Sequence, residues 1–162
     1  MLETVSLQLA GYRRESFDIV MSMSFIEHFD DTAGIVQSHV ELLKPGGYLV
    51  IIAPNLSGLN RRLYGYFNPD DLAAHNLDMT NPTVFRGLFD ELPVEPLFCD
   101  PYGIFSFLLF KPVPGAWKTK LLKVGQVLQQ GLNIMYRLAR GDEGRGADGT
   151  CPYLLFVGRK HG

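Results

Sequence analysis

Cysteine is scarce in this chain: Cys99 and Cys151 are the two in 162 residues. That is too few for a disulfide framework, so a reducing, cytoplasmic compartment is the expectation. Net charge is nearly absent, at −2 from 15 basic and 17 acidic residues. A nucleic-acid partner held by a strongly basic domain is therefore not expected. No stretch approaches the roughly 20 apolar residues of a membrane span. The opening MLETVSLQLAGYRRES has neither the basic start nor the apolar run of a signal peptide. Internal repeats are missing too. What is present is a chain 46 % hydrophobic and 12 % aromatic, which excludes a disordered or low-complexity protein and is enough for one globular core.

The first clear element is FDIVMSMS (17–24), an apolar run rich in β-formers that reads as a strand buried on both faces. Asp30, Asp31 and Thr32 offer helix N-caps, and Ile35, Val36, Val40 and Leu43 recur at helical spacing. Pro45 stops that helix, Gly46-Gly47 turns the chain, and YLVIIA (48–53) is a second strand closed by Pro54-Asn55. Strand, helix and strand in this order form a βαβ unit with a parallel pair. After a polar loop from Leu56 to about Met79, Asn81-Pro82 starts a helix carrying Phe85, Leu88, Phe89 and Leu92. Val94–Cys99 and PYLLFVG (152–158) read as third and fourth strands, and Thr4–Leu9 as part of one more.

Charge is unevenly spread. From Pro101 to Gly141 no acidic residue occurs, while Lys111, Lys118, Lys120, Lys123, Arg137 and Arg140 make the window +6 and leave −8 for the rest. Trp117, Leu121, Val124, Leu128, Leu132, Met135 and Ala139 form one apolar stripe along a helix from Trp117 to Arg140, followed by a Gly-rich tether, 141–149. Residues of about 104–146 read as a basic amphipathic insertion within a single domain of 1–162. The stripe suits either packing on the domain or an anionic membrane surface, with the 104–140 region peripheral at a membrane.

The ordered set FDIV (17–20), EHF (27–29), LLKPGG (42–47) and YLVIIAPN (48–55) resembles the second half of a class I S-adenosylmethionine-dependent methyltransferase, most closely the ubiquinone-type and small-molecule O-methyltransferase group. The resemblance implies an α/β fold: a partial Rossmann-like sheet of about four strands, mostly parallel with a C-terminal antiparallel strand, flanked by helices. It implies S-adenosylmethionine as cofactor and methyl transfer to a small-molecule acceptor, at oxygen. A catalytically silent binding or membrane-associated module with the same half-sheet is the alternative. The glycine-rich turn and ribose-binding acid of the family belong upstream of Phe17, where only 16 residues with the single Gly11 stand. A truncated or split domain is thus expected, with Phe17–Ser24 at a sheet border open to self-association or an N-terminal partner.

In an open parallel sheet the ligand lies beyond the carboxyl ends of the strands. Ser22, Met23 and Ser24 end the first strand and are expected beside the cofactor; Asn55 ends the second and, with Arg62 and His75 in the following lid, is expected to meet the acceptor. His28, at the mouth of this crevice, is the candidate general base. Its alternative is simple packing, with Glu27 capping the helix. Relatives carry a Glu where Ser24 stands, and the remaining Glu27-His28 pair is too small a donor set to assign a metal. Asp18, within an apolar strand, is expected to be paired.

Overall fold

The computed structural model describes residues 12–73, 75–110, 116–140 and 149–162. The expected Thr4–Leu9 strand, the Pro-Val-Pro-Gly break at 112–115 and the tether over 141–148 lie outside them. The elements run β1 (Phe17–Met23), a 3-10 turn (Ile26–His28), α1 (Thr32–Leu42), β2 (Leu43–Pro54), α2 (Gly58–Phe67), α3 (Pro69–Ala73), α4 (Pro82–Gly87), β3 (Val94–Tyr102), a second 3-10 turn (Phe107–Leu109), α5 (Ala116–Arg140) and β4 (Tyr153–Lys160).

The sheet order is β1-β2-β4-β3. β1 and β2 are parallel, and β4 runs antiparallel to both β2 and β3. Three strands therefore point one way, and only the C-terminal strand is reversed, as expected. Among the described strands, β1 lies at the border. The Lys-Pro-Gly-Gly segment is not a turn that separates α1 from β2. The strand begins at Leu43, opposite Phe17, and the next pair is Ile19 with Tyr48, so residues 44–47 bulge out of the ladder. Gly46 takes φ +77° there, a conformation that favours glycine. Asp31 caps α1 by accepting from the Gly34 amide at 2.9 Å, and Asn81 caps α4 through the Thr83 amide, also at 2.9 Å.

One face of the sheet holds the core. Leu49, Ile51, Ala53, Leu154 and Phe156 meet Val36 and Val40 of α1 and Phe85 of α4. Phe89 stacks on Phe156 with centroids 3.6 Å apart. The opposite face is open at its β1 end, which corrects the expectation of a strand buried on both faces. Ile19, Met21 and Met23 are 57–66 % exposed, because no described helix covers this side of β1. Asp18 is not buried either; it is exposed and receives Lys44 Nζ at 2.8 Å, an ion pair that holds its carboxyl below the usual range.

A second apolar cluster joins the lid to α5: Leu56, Tyr64 and Phe67 pack with Phe110 and Leu122. The Phe107 ring sits against Gly125, where a Cβ would come within 3.1 Å of it. Among the described residues, the expected stripe is left mostly uncovered by the domain. Trp117, Leu121, Val124, Leu128, Leu132 and Met135 all face solvent, and the inward line is Leu122, Gly125 and Gln129. Among the described residues, no helix is long and apolar enough to cross a membrane.

Candidate active site

The parallel pairing of β1 with β2 brings their carboxyl ends together. Met23 is opposite Ile52, and the Ser24 amide continues the ladder one step by donating to the Ile52 carbonyl at 2.8 Å. Ser24 then adopts φ +48°, the left-handed region that a non-glycine residue enters only when its surroundings impose it. Ser22 is buried, whereas Met23 and Ser24 are exposed. The three residues expected beside a cofactor thus share the end of one strand, with the chain turning sharply away after them.

That turn leads into the 3-10 segment Ile26–His28, which sends Glu27 inward and His28 outward. Glu27 does not cap α1, since Asp31 does. Its side chain is fully buried and neither carboxylate oxygen has a hydrogen-bond partner. Burial pushes its pKa up, opposed in smaller part by the nearby backbone N–H groups of Glu27 and Phe25, which fall short of hydrogen-bond geometry, and by His75. His28 lies beside it, Nε2 at 4.0 Å from Glu27 Oε1.

The lid supplies the third member. The Asn76 amide donates to the Glu27 carbonyl at 2.8 Å, which brings the neighbouring His75 to the 3-10 turn. The His28 and His75 rings lie 4.8 Å apart, and the donor atoms of Glu27, His28 and His75 all fall within 4.8 Å of one another. His75 Nδ1 pairs with the Asp71 carbonyl at 2.6 Å. A carbonyl can only accept, so Nδ1 carries a proton, and Nε2 is the nitrogen turned away from this bond. Tyr64 lies edge-on to His75 at 5.9 Å and donates its hydroxyl to Asp71, and burial raises its pKa further. Outside the pair lies a hollow of about 430 Å³ lined by His28, Asp30, His75, Asn76 and Asp78. A buried carboxylate behind two imidazoles at the mouth of a hollow can accept a proton or hold a cation.

The acceptor-side expectations divide. His75 joins His28. Asn55 does not face a ligand: it is fully buried, its Nδ2 donates to the Cys151 carbonyl at 2.9 Å and its Oδ1 accepts from Ser57 Oγ at 2.6 Å. An amide at the end of β2 was more urgently needed to satisfy buried backbone where β2, α2 and β4 converge. Asn60, also fully buried, completes that knot. Arg62 is exposed on α2 and does not line the hollow. Sequence reasoning passed over Asp71, whose backbone and side chain both serve the cluster; its position one helical turn before His75 was the available signal.

A family model described as a methyltransferase domain matches residues 2–51. No curated protein matches the sequence. Among solved structures, the chain is similar to a SAM-dependent methyltransferase from Archaeoglobus fulgidus, at 17 % identity and a TM-score of 0.55 over 93 % of this chain and 62 % of that one. It is similar also to a Haloferax volcanii protein assigned as a methyltransferase and solved in complex with the Trm112 methyltransferase activator (18 %, 0.52, 94 % and 57 %). A Galdieria sulphuraria protein assigned as a sarcosine dimethylglycine methyltransferase gives 16 %, 0.51, 95 % and 56 %. At such identities the likeness is one of fold. The chain spans about three fifths of the length of these structures.

Proposed function

We propose that this chain is part of a class I S-adenosylmethionine-dependent methyltransferase and takes part in methyl transfer from S-adenosylmethionine to the oxygen of a small-molecule acceptor, a reading supported by the match of residues 2–51 to a methyltransferase domain and by the likeness of fold. The observation that carries the reading is the convergence of Ser22–Ser24 with the Glu27, His28 and His75 cluster at the carboxyl end of β1, beside a hollow large enough for a small acceptor. Methyl transfer is an in-line displacement at a sulfonium, so the protein's task is to align the acceptor and remove its proton. His28 is the proton acceptor in this reading. Buried Glu27 favours the imidazolium that forms, and His75 orients the acceptor's oxygen. Ser22, Met23 and Ser24 flank the cofactor.

The open face of β1 bears on how much the chain does alone. Among the described residues β1 is a border strand with Ile19, Met21 and Met23 exposed, a surface that suits cover by a second copy or another chain. A second reading, a catalytically silent module that retains the half-sheet, is favoured by the same open face. Calorimetric titration of the folded chain with S-adenosylmethionine separates the two. Saturable binding, with transfer falling about 100-fold in His28→Gln, supports the enzyme; no binding by a folded chain supports the silent module.

The placement in the cell that accompanies this reading is cytoplasmic and peripheral to an anionic membrane through α5. That helix has no acidic residue, carries Lys118, Lys120, Lys123 and Arg137, and exposes its apolar stripe. It borders a groove of about 690 Å³ lined by Leu63, Phe67, Phe105, Phe107, Val124 and Leu128.

A further inference from the structure

We infer that the groove between α5, α2 and the second 3-10 turn is a binding site for the single hydrocarbon chain of a free anionic amphiphile of the fatty-acid class. It shares no residue with the hollow beside His28 and His75, and the inference goes beyond the proposed methyl transfer without resting on it. The inner wall is Phe67, Phe105 and Phe107; the outer wall is Val124, Leu128 and Leu132 of α5. None of the residues lining the groove is charged. Val124, Leu128 and Leu132 are 56–65 % exposed while flanking a concave apolar surface, an arrangement that costs free energy until something covers it.

The groove is held open by contacts along one line of α5. Leu122 is buried with Leu56, Tyr64 and Phe67. One turn later Gly125 lets the Phe107 ring approach, where a Cβ would come within 3.1 Å of it. One turn further on, Gln129 accepts from the Phe107 amide through its side-chain oxygen. These three positions set the distance and rotation of α5 over its neighbours. The adjoining row of Val124, Leu128 and Leu132 is thereby left as a wall with nothing seated against it among the described residues. The apolar cleft is formed before a ligand arrives, as small-molecule sites generally are.

Size selects a linear chain. The α5 wall runs from Leu121 to Tyr136, about 22 Å at a rise of about 1.5 Å per residue. A volume of about 690 Å³ over that length leaves a mean section of about 30 Å², whereas an α-helix with its side chains needs roughly 80 Å² or more. Charge selects the head. α5 has no acidic residue, and Lys118 stands one turn before Leu121. Lys118 Nζ lies 3.3 Å from the Tyr66 carbonyl and 5.0 Å from the centre of the Tyr66 ring. Tyr66 in turn lies edge-on to Phe67 of the groove at 5.1 Å. A carboxylate at this end meets an ammonium group while its tail lies along Val124, Leu128 and Leu132.

The test is fluorescence titration of the whole chain with cis-parinarate, a single-chain polyene carboxylate that brightens in an apolar site, kept below the concentration at which it aggregates. No S-adenosylmethionine is present, so the result is independent of methyl transfer. The expected result is one equivalent per chain. Hexadecanoate should displace the probe at least about tenfold better than decanoate, since each buried methylene adds roughly fourfold. Affinity should fall at least about tenfold in Val124→Asp and in Leu132→Asp, which place a charge on the groove wall, and at least about threefold in Lys118→Glu. Val127→Asp, at an exposed position of α5 outside the groove, should leave binding unchanged. The three aspartates replace solvent-facing side chains, so the variants fold, and circular dichroism checks them. No saturable binding by the folded chain, an equal loss in Val127→Asp, or uptake by phosphatidylglycerol vesicles without binding of the free probe overturns the inference. So does dodecyltrimethylammonium binding as tightly as dodecanoate.

Discussion

Replacing Asn60 by aspartate tests how much of the crevice hangs on one buried amide. Asn60 Nδ2 donates to the Asn55 carbonyl at 3.0 Å and to the Cys151 carbonyl at 2.8 Å, with the side chain fully buried. One NH2 group thereby clamps α2 to the end of β2 and to the approach to β4. In Asn60→Asp the donor becomes an acceptor, and an ionised carboxylate would face two carbonyl oxygens. Protonation is the folded state's escape. Holding a carboxyl of ordinary pKa ~3.9 neutral at pH 7 costs about 4 kcal/mol, at roughly 1.4 kcal/mol per unit. The protonated group has one O–H for two acceptors, which loses about 1 kcal/mol more. A total near 5 kcal/mol is comparable with the whole stability of many domains. Because the folded-state pKa is raised above the unfolded one, the folded variant binds more protons. Its deficit therefore grows as pH rises above about 4. Asn60→Leu loses the same two bonds without a titrating group and costs about 2–4 kcal/mol at any pH. Urea unfolding followed by circular dichroism at pH 5, 6 and 7 separates these behaviours. The aspartate deficit should widen by about 1.4 kcal/mol per pH unit while the leucine deficit stays flat. A flat aspartate deficit, or an aspartate variant no weaker than leucine at pH 7, would refute the assigned donor.

Light scattering at micromolar concentration should find the wild-type chain associated through β1. Met21→Lys, at an exposed position, should shift it toward monomer with stability changed by less than about 0.5 kcal/mol; a wild-type monomer contradicts the open-edge argument. Co-sedimentation with phosphatidylglycerol-containing vesicles, but not with phosphatidylcholine alone, is expected of α5, with loss of binding in Leu128→Asp and at high salt. Equal sedimentation with both compositions would dismiss the anionic surface. Burial pushes the Cys99 thiol up to about 11, so its alkylation should be slow at pH 8 and accelerate toward pH 11. The folded state keeps that proton longer than the unfolded chain, so stability should fall as pH rises from about 9. Alkylation at pH 8 as fast as a free thiol would contradict this.

Local pattern was sufficient for the elements that depend on it. Apolar runs, Asx caps and the Pro-Gly-Gly interruption placed β1, α1, β2, α4 and β4 within a few residues, because strand alternation, capping and proline's missing N–H are properties of short segments. The reversed direction of the last strand followed from the family resemblance. Among the described strands β1 stands at a border, the position expected for it from the sequence. The Lys-Pro-Gly-Gly bulge was not legible, since it is the register with Phe17 and Ile19 that turns a helix stop into part of a strand.

The site itself needed the tertiary structure. Asn55 looked like a ligand-facing loop residue; packing of β2, α2 and β4 around it made it a buried connector, as burial of backbone carbonyls takes priority over display of an amide. The stripe on α5 was read correctly as a stripe, but periodicity defines a face without saying what that face meets. Gly125 and Gln129, which let Phe107 approach, turned the other face inward. Glu27 and His28 are adjacent in sequence and could be noticed there. Only folding delivers His75 to them, through an Asn76-to-Glu27 backbone hydrogen bond that closes a long loop and that no short-range pattern encodes.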